Sequence, residues 1–300
     1  EPHMTSNFTD LAPERIRPTD HTSPAPRMVS YFTHGITLAY RTYGHGPSVV
    51  IAFHGFGRTG ADFEVLTKTL GEACTIHAFD LHFHGKSPSY PERAATPFTP
   101  HELAVFFTAF LDSMNTKKAT VLGYSLGGRI ALSLLTTMPE RFERLILVAP
   151  DGLKTRPWYR ALAATQMGEW AYRRFVEHPE KIHLFMDGLR ATRLMSQKMH
   201  RFLKGQTDSQ AKRMLVRDVW LSFRSIEPDL EEVAAIATAR TIPINIFFGK
   251  FDSVIKPRFG KKLHDLAPDV VSQENLPFGH VLLVPELGKA LAELFPIPVP

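Results

Sequence analysis

Ser125 stands between two glycines in Gly123-Tyr124-Ser125-Leu126-Gly127, and it is the residue of this 300-residue chain around which a reaction can be built. A serine hydroxyl is a poor nucleophile until a neutral imidazole takes its proton and a carboxylate fixes the tautomer of that imidazole. Ser125 therefore needs a histidine and an acid. His280, in Leu276-Pro277-Phe278-Gly279-His280, comes directly after a strand-like run and before the last helical stretch. With 14 histidines in the chain, position rather than type singles it out. Asp252 ends Gly249-Lys250-Phe251-Asp252, just past the apolar run IPINIFF. Asp151, after the apolar run RLILVA, fits the order Ser, Asp, His equally well.

Cleavage of an acyl bond also needs two N–H groups aimed at the oxygen of the tetrahedral intermediate, each contributing about 3 kcal/mol. His54-Gly55-Phe56-Gly57 follows the apolar run SVVIAF and offers a backbone free to point its amides outward. The amides of Phe56 and of Leu126, the residue after the serine, are the expected pair.

These residues require particular elements beneath them. Ala119 to Leu122 reads as a buried strand and GGRIALSLLTTM as a helix, so Ser125 falls on a sharp strand-to-helix turn. Glycines flank it because side chains there would meet adjacent backbone. Along the chain, Arg27 to Thr33 and Ile36 to Thr42 read as a hairpin, and Ser48 to Phe53 as a buried strand. Helix is expected over Ala61 to Leu70, Pro100 to Met114 (capped by Thr99), Pro257 to Leu266 and Val281 to Leu294. Further strands are expected over Ala73 to Phe79, Arg144 to Ala149, Ile242 to Phe248 and Val270 to Asn275. Alternating strands and helices imply parallel pairing through right-handed crossovers, an α/β, doubly wound sheet. Asp252 and His280 then emerge at carboxyl ends of strands, the edge where such sheets place their sites.

Residues 154–239 break the rhythm: no buried strand, only amphipathic helical text, which reads as an inserted helical cap between core segments 27–153 and 240–300. Trp158, Tyr159, Trp170, Phe175, Phe185, Met186, Met195, Trp220 and Phe223 are its large apolar side chains, most of them expected to form the cap's own core. Residues 1–26, rich in Pro, Thr and Ser, read as a mobile tail.

The chain resembles the α/β-hydrolase family over nearly all of residues 27 to 295, in HGFG at 54–57, DLHFHGKS at 80–87, GYSLGG at 123–128, GKFD at 249–252 and FGH at 278–280. The resemblance implies an eight-stranded, mostly parallel sheet with a helical cap and cofactor-free acyl chemistry. It gives Ser125, Asp252 and His280 the catalytic roles, with Asp252 rather than Asp151 as the acid, and Phe56 and Leu126 the oxyanion. Serine at the nucleophile position separates the chain from relatives that attack with a carboxylate, the haloalkane dehalogenases and epoxide hydrolases. Phe83 and the histidines of DLHFHGKS depart from the Pro and Gly common in the family there, which predicts a loop lining a differently shaped pocket.

The implied activity is a serine esterase or lipase-like enzyme, acting on a carboxylic ester or thioester with a small or medium apolar acyl group. A carbon–carbon hydrolase of the same fold and a non-catalytic ligand-binding protein are the alternatives. Composition excludes other classes. Gly85-Lys86-Ser87 is not a phosphate-cradling loop, because position 80 holds Asp80 and not glycine. His54, His77, His82 and His84 lack the spacing and carboxylate of a metal site, so none is expected. The single Cys74 reads as a buried hydrophobe. No nucleic-acid-binding motif accompanies the net charge of +5, no run of apolar residues is long enough for stable membrane insertion, and a cytoplasmic location is the default expectation. Residues 154–224 carry 15 Lys plus Arg against 6 Asp plus Glu, a local +9 that leaves −4 for the rest. On amphipathic helices such charge ordinarily forms a solvated face. Its functional expectation is to steer an anionic substrate or lipid surface, an effect that added salt would weaken.

Overall fold

The computed structural model describes residues 24–31, 35–154, 165–194 and 197–296. Eight strands form one sheet in the order β1-β2-β4-β3-β5-β6-β7-β8. They are β1 (Arg27–Tyr31), β2 (Ile36–Tyr43), β3 (Ser48–Phe53), β4 (Cys74–Phe79), β5 (Ala119–Tyr124), β6 (Phe142–Val148), β7 (Ile244–Gly249) and β8 (Val271–Leu276). β1 and β2 pair antiparallel, β2 runs antiparallel to β4, and every other pairing is parallel. This is the mostly parallel α/β sheet of the sequence reading. Its central strands are largely apolar because helices cover both faces, and all six residues of β5 are buried.

The sheet order fixes where a site can form. From β3 the chain turns back to β4 on one side, and β5 lies on the other side of β3. The connections therefore diverge at the β3–β5 pair, and a crevice opens beyond the carboxyl ends of those two strands.

The helices in the core are α1 (Thr67–Leu70), α2 (Pro100–Ser113) and α3 (Leu126–Thr137). α2 starts where the sequence places it: Glu102 N donates to Thr99 Oγ1 at 3.2 Å and Thr99 N donates to Glu102 Oε2 at 2.9 Å, a reciprocal cap with Pro100 in the first turn. The stretch expected as one helix over 61–70 is a 3-10 turn, Gly60–Leu66, followed by the single turn of α1. Beneath α2 the core is aromatic, with Phe53 edge-on to Phe107 at 4.8 Å and Phe79 edge-on to Phe110 at 4.9 Å. Each such pair contributes about 0.5–1.5 kcal/mol beyond its burial.

Past β6 come α4 (Gln166–Glu177), α5 (Pro179–Ala191), α6 (Gln197–Gly205), α7 (Gln210–Ser222) and α8 (Leu230–Arg240). α7 is tied to the core where Phe98 N donates to Ser222 O at 2.8 Å and the Arg224 guanidinium reaches the carbonyls of Ala94 and Ala95. α8, which the sequence reading grouped with the insertion, packs on α3 and on α9 (Lys261–Leu266) and hands the chain to β7 through Ile242 N donating to Ala237 O at 2.9 Å. It is a crossover helix of the sheet; its helical periodicity in the sequence does not say which layer it packs against. The last helix, α10 (Pro285–Ala292), is shorter than the expected Val281–Leu294, because Pro285 starts it and His280–Val284 serve as loop.

The tail expected over residues 1–26 lies outside the described residues as far as residue 23, and so do Trp158, Tyr159 and Met195. Of the large apolar side chains of the helical segment, Phe175 and Met186 are buried, Phe223 is buried in the main core against Phe98, and Trp170 and Phe185 are 61% and 65% exposed. Among the described residues no helix is long and apolar enough to cross a membrane.

Candidate active site

β5 and α3 meet at Ser125, whose backbone is left-handed at φ 51°, ψ −114°. A non-glycine residue held there carries strain that only its surroundings can maintain. Three hydrogen bonds do so: Ser125 N donates to Val148 O at 3.0 Å, and Ser125 O accepts from Gly128 N at 2.8 Å and Asp151 N at 2.9 Å. The flanking glycines are sterically obligatory. A Cβ on Gly123 would stand 2.5 Å from Gly127 O, and one on Gly127 would stand 2.2 Å from Phe53 O.

The loops after β7 and β8 bring the other two groups to this turn. A Cβ on Gly249 would lie 2.0 Å from Gly279 O, so glycine is what lets the loops run side by side, and Phe251 N donates to Phe278 O at 2.9 Å to hold them. His280 Nε2 lies 3.2 Å from Ser125 Oγ, and His280 Nδ1 lies 2.7 Å from Asp252 Oδ2. The Asp252 side chain is fully buried, and its other oxygen accepts from Val254 N at 2.7 Å and Ile255 N at 2.9 Å. A carboxylate only accepts, so Nδ1 of His280 carries the proton and Nε2 presents its lone pair to the serine. Tyr124 O–H donates to His280 O at 3.0 Å, and burial pushes that phenol up to about 12.

Asp151 is placed elsewhere. Its Oδ2 is 2.5 Å from an Arg129 guanidinium nitrogen, and the Arg129 guanidinium also lies 5.3 Å from the ring centre of Trp220. Of the two acids the sequence left open, Asp252 is the one against His280.

Phe56 and Leu126 face the same turn. Gly55 lies so close that a Cβ on it would be 3.0 Å from Ser125 Cβ. Among the described residues neither the Phe56 N–H nor the Leu126 N–H donates to a protein acceptor. Ser125, Asp252, His280, Phe56 and Leu126 are thus brought to one place.

A family model described as alpha/beta hydrolase fold matches residues 48–284. The chain belongs to the alpha/beta hydrolase family. This hydrolase is 26% identical over 275 residues to the pimeloyl-[acyl-carrier protein] methyl ester esterase of Chromobacterium violaceum, covering 86% of this chain and 98% of that one. It is 35% identical over 118 residues to the dihydrolipoyllysine-residue acetyltransferase component of the acetoin cleaving system of Cupriavidus necator, covering 39% of this chain and only 30% of that protein. Against several of the curated relatives it matches, the chain spans well under half of their length. A thermophilic esterase from Thermogutta terrifontis superposes with a TM-score of 0.65 at 19% identity, covering 90% of this chain and 97% of that one, and shares the fold.

The sequence reading missed how the hydrolase holds Phe56 in place. Leu81 N donates to His54 Nε2 at 2.9 Å, which leaves His54 Nδ1–H to donate to Gly55 O at 2.7 Å. Gly57 N donates to His84 Nε2 at 2.9 Å, and His84 Nδ1–H donates to His82 O at 2.9 Å. Both imidazoles are neutral acceptors. Burial drives His54 well below the ordinary histidine range, and burial lowers His84 as well. His84 also meets the Phe56 ring edge-on at 5.9 Å. The DLHFHGKS loop therefore braces the HGFG turn from behind. Its other histidine does not line a pocket: His82 is stacked on Phe98 at 4.3 Å in the core, and burial takes it down to about 3. Among the described residues no three metal-ligating side chains converge. The available signal was a buried-type imidazole in an apolar loop, but only the fold brings the Leu81 and Gly57 amides to those rings.

From the helical segment, the Trp220 ring stacks on Phe56 at 6.3 Å. Gln206 also arrives here, with Oε1 3.9 Å from where a Gly57 Cβ would be.

Proposed function

We propose that this hydrolase cleaves a carboxylic ester through an acyl-enzyme on Ser125. The observation that carries the reading is the unbroken chain from Asp252 Oδ2 through both nitrogens of His280 to Ser125 Oγ. His280 Nε2 takes the hydroxyl proton as Ser125 Oγ bonds to the substrate carbonyl carbon. The carbonyl oxygen becomes an oxyanion, held by the free N–H groups of Phe56 and Leu126. The tetrahedral centre collapses, its bond to the leaving alcohol breaks, and His280 returns the proton to that alcohol. Water then attacks the acyl-serine with His280 again as base, releasing the acid and restoring Ser125. Asp252 keeps Nδ1 protonated and stabilises the imidazolium without itself taking the proton.

The esterase activity named for the Chromobacterium relative supports a carboxylic ester as the substrate class. The same scaffold can take thioesters of apolar acyl groups. We further propose that α4 to α7 form a cap over the site, since Trp220 and Gln206 meet the loop that carries Phe56; α8 is outside that unit. A panel of p-nitrophenyl esters of increasing acyl length tests the proposal. Turnover of at least one member, lost in Ser125→Ala, is expected; turnover of none would leave carbon–carbon cleavage or simple ligand binding as the reading.

A further inference from the structure

Between α5 and α6 lies a shallow, open groove of about 550 Å3 that the chemistry above does not use. One wall is His183 and Arg190, two turns apart on α5; the other is Gln197, His200, Arg201 and Lys204, at helical spacing on α6. The carboxylates nearby are already engaged. Asp187 accepts from His200 Nε2 at 2.6 Å and from Lys204 Nζ at 3.0 Å, and Asp208 pairs with Lys212 at 3.0 Å. His200 is only 6% exposed and is held by that bond to Asp187. Arg190 and Arg201 are exposed, and among the described residues neither guanidinium makes an ion pair. Two uncompensated guanidinium forks facing one concavity suit an anion with several acceptor oxygens. A phosphate group meets that requirement better than a single carboxylate, because it presents three oxygens and close to two charges.

The chain connects the groove with the loop that carries Phe56. Lys204 and Gly205 in its wall directly precede Gln206, which touches the position of a Gly57 Cβ in the loop that carries Phe56. We propose that this groove recognises a phosphate group on the alcohol or acyl portion of the substrate, so that the preferred esters of this hydrolase are phosphate-bearing. The proposal rests on the ester-cleaving reading of Ser125 for its kinetic consequence, but not for binding.

The test uses the butyryl monoesters of glycerol and of glycerol 3-phosphate, short enough to stay dispersed. The expected result is a kcat/KM about tenfold or more higher for the phosphate-bearing ester, a preference abolished in Arg190→Gln/Arg201→Gln while the uncharged ester keeps its rate within about twofold. Equal kcat/KM for the two esters, or a preference that survives the double substitution, overturns the proposal. If neither ester is hydrolysed, the reading of Ser125 fails and the groove is judged separately, by calorimetric titration of glycerol 3-phosphate and of inorganic phosphate into Ser125→Ala. Binding lost when Arg190→Gln and Arg201→Gln are added to Ser125→Ala supports the site; no binding of either ligand, or binding that survives those two substitutions, overturns it. Should the protein bind only vesicles containing phosphatidic acid and neither soluble phosphate, the basic surface is a membrane contact, and the groove as a substrate site is overturned.

Discussion

Two aspartates each lie three residues past a strand end near Ser125, Asp151 after β6 and Asp252 after β7, and they do different work. Asp252 holds His280 at 2.7 Å, while Asp151 holds Arg129 at 2.5 Å beneath Trp220. Asp252→Asn should lower kcat by about 10⁴ by favouring the wrong imidazole tautomer, whereas Asp151→Asn should keep kcat within about tenfold of wild type. Asp151→Asn acts instead on stability, since it removes the negative charge that faces a mostly buried guanidinium, at a cost of about 1–3 kcal/mol. Steady-state kinetics and urea denaturation of the two variants decide it; a kcat loss of equal size in both would contradict the assignment. In the sequence these aspartates were separable only through family resemblance, because chain order admits both. The distances separate them because the loop after β8 lies against the loop after β7, and glycine at 249 permits that approach.

Among elements, the HGFG turn depends on the DLHFHGKS loop. Gly57 N–H has its acceptor in His84 Nε2, so the peptide next to Phe56 is oriented by an imidazole that must be neutral. His84→Phe keeps the aromatic bulk and removes the acceptor. We expect kcat to fall by up to about 10², the scale of a misdirected oxyanion donor, with KM little changed. His84→Gln, whose side-chain oxygen accepts, should recover much of the loss; equal losses in both variants would reduce His84 to a packing role. This brace was illegible in the sequence because hydrogen bonds between loops 27 residues apart have no periodic signature. The Thr99 cap and the strand-to-helix turn at Ser125 were legible, because each is encoded within a few consecutive residues. α8 was misgrouped for the opposite reason: helical periodicity states that a helix exists and not which layer it packs against.

At the scale of the whole molecule, four histidines are enclosed by the α/β core: His54, His77, His82 and His84. Burial takes His77 down to about 4 and His82 to about 3, and it lowers His54 and His84 too. In the unfolded chain each titrates near pH 6.5. As pH falls through about 6.5 the unfolded chain binds protons that the folded one refuses, so stability is full above that pH and declines below it, by at most about 1.4 kcal/mol per unit for each histidine. The urea midpoint should therefore drop clearly from pH 7.5 to pH 5.5, well before the carboxylates titrate. A midpoint unchanged over that interval would show that these rings are solvated or already charged.

The eight strands, their parallel majority and the meeting of Ser125, His280 and Asp252 could be anticipated from local patterns joined to the family resemblance. The groove between α5 and α6 could not, because it arises from how two amphipathic helices pair their basic faces. The charge of the helical segment was visible as a sum; its arrangement around one concavity is a tertiary property.

The central claim is that Ser125 is an activated nucleophile, and covalent labelling reads it without any assumption about substrate. The purified protein should take up one fluorophosphonate group, located on Ser125 by peptide mass spectrometry, with uptake slowed strongly in His280→Ala and abolished in Ser125→Ala. No adduct on the wild-type protein, or an adduct that persists in Ser125→Ala, would contradict it.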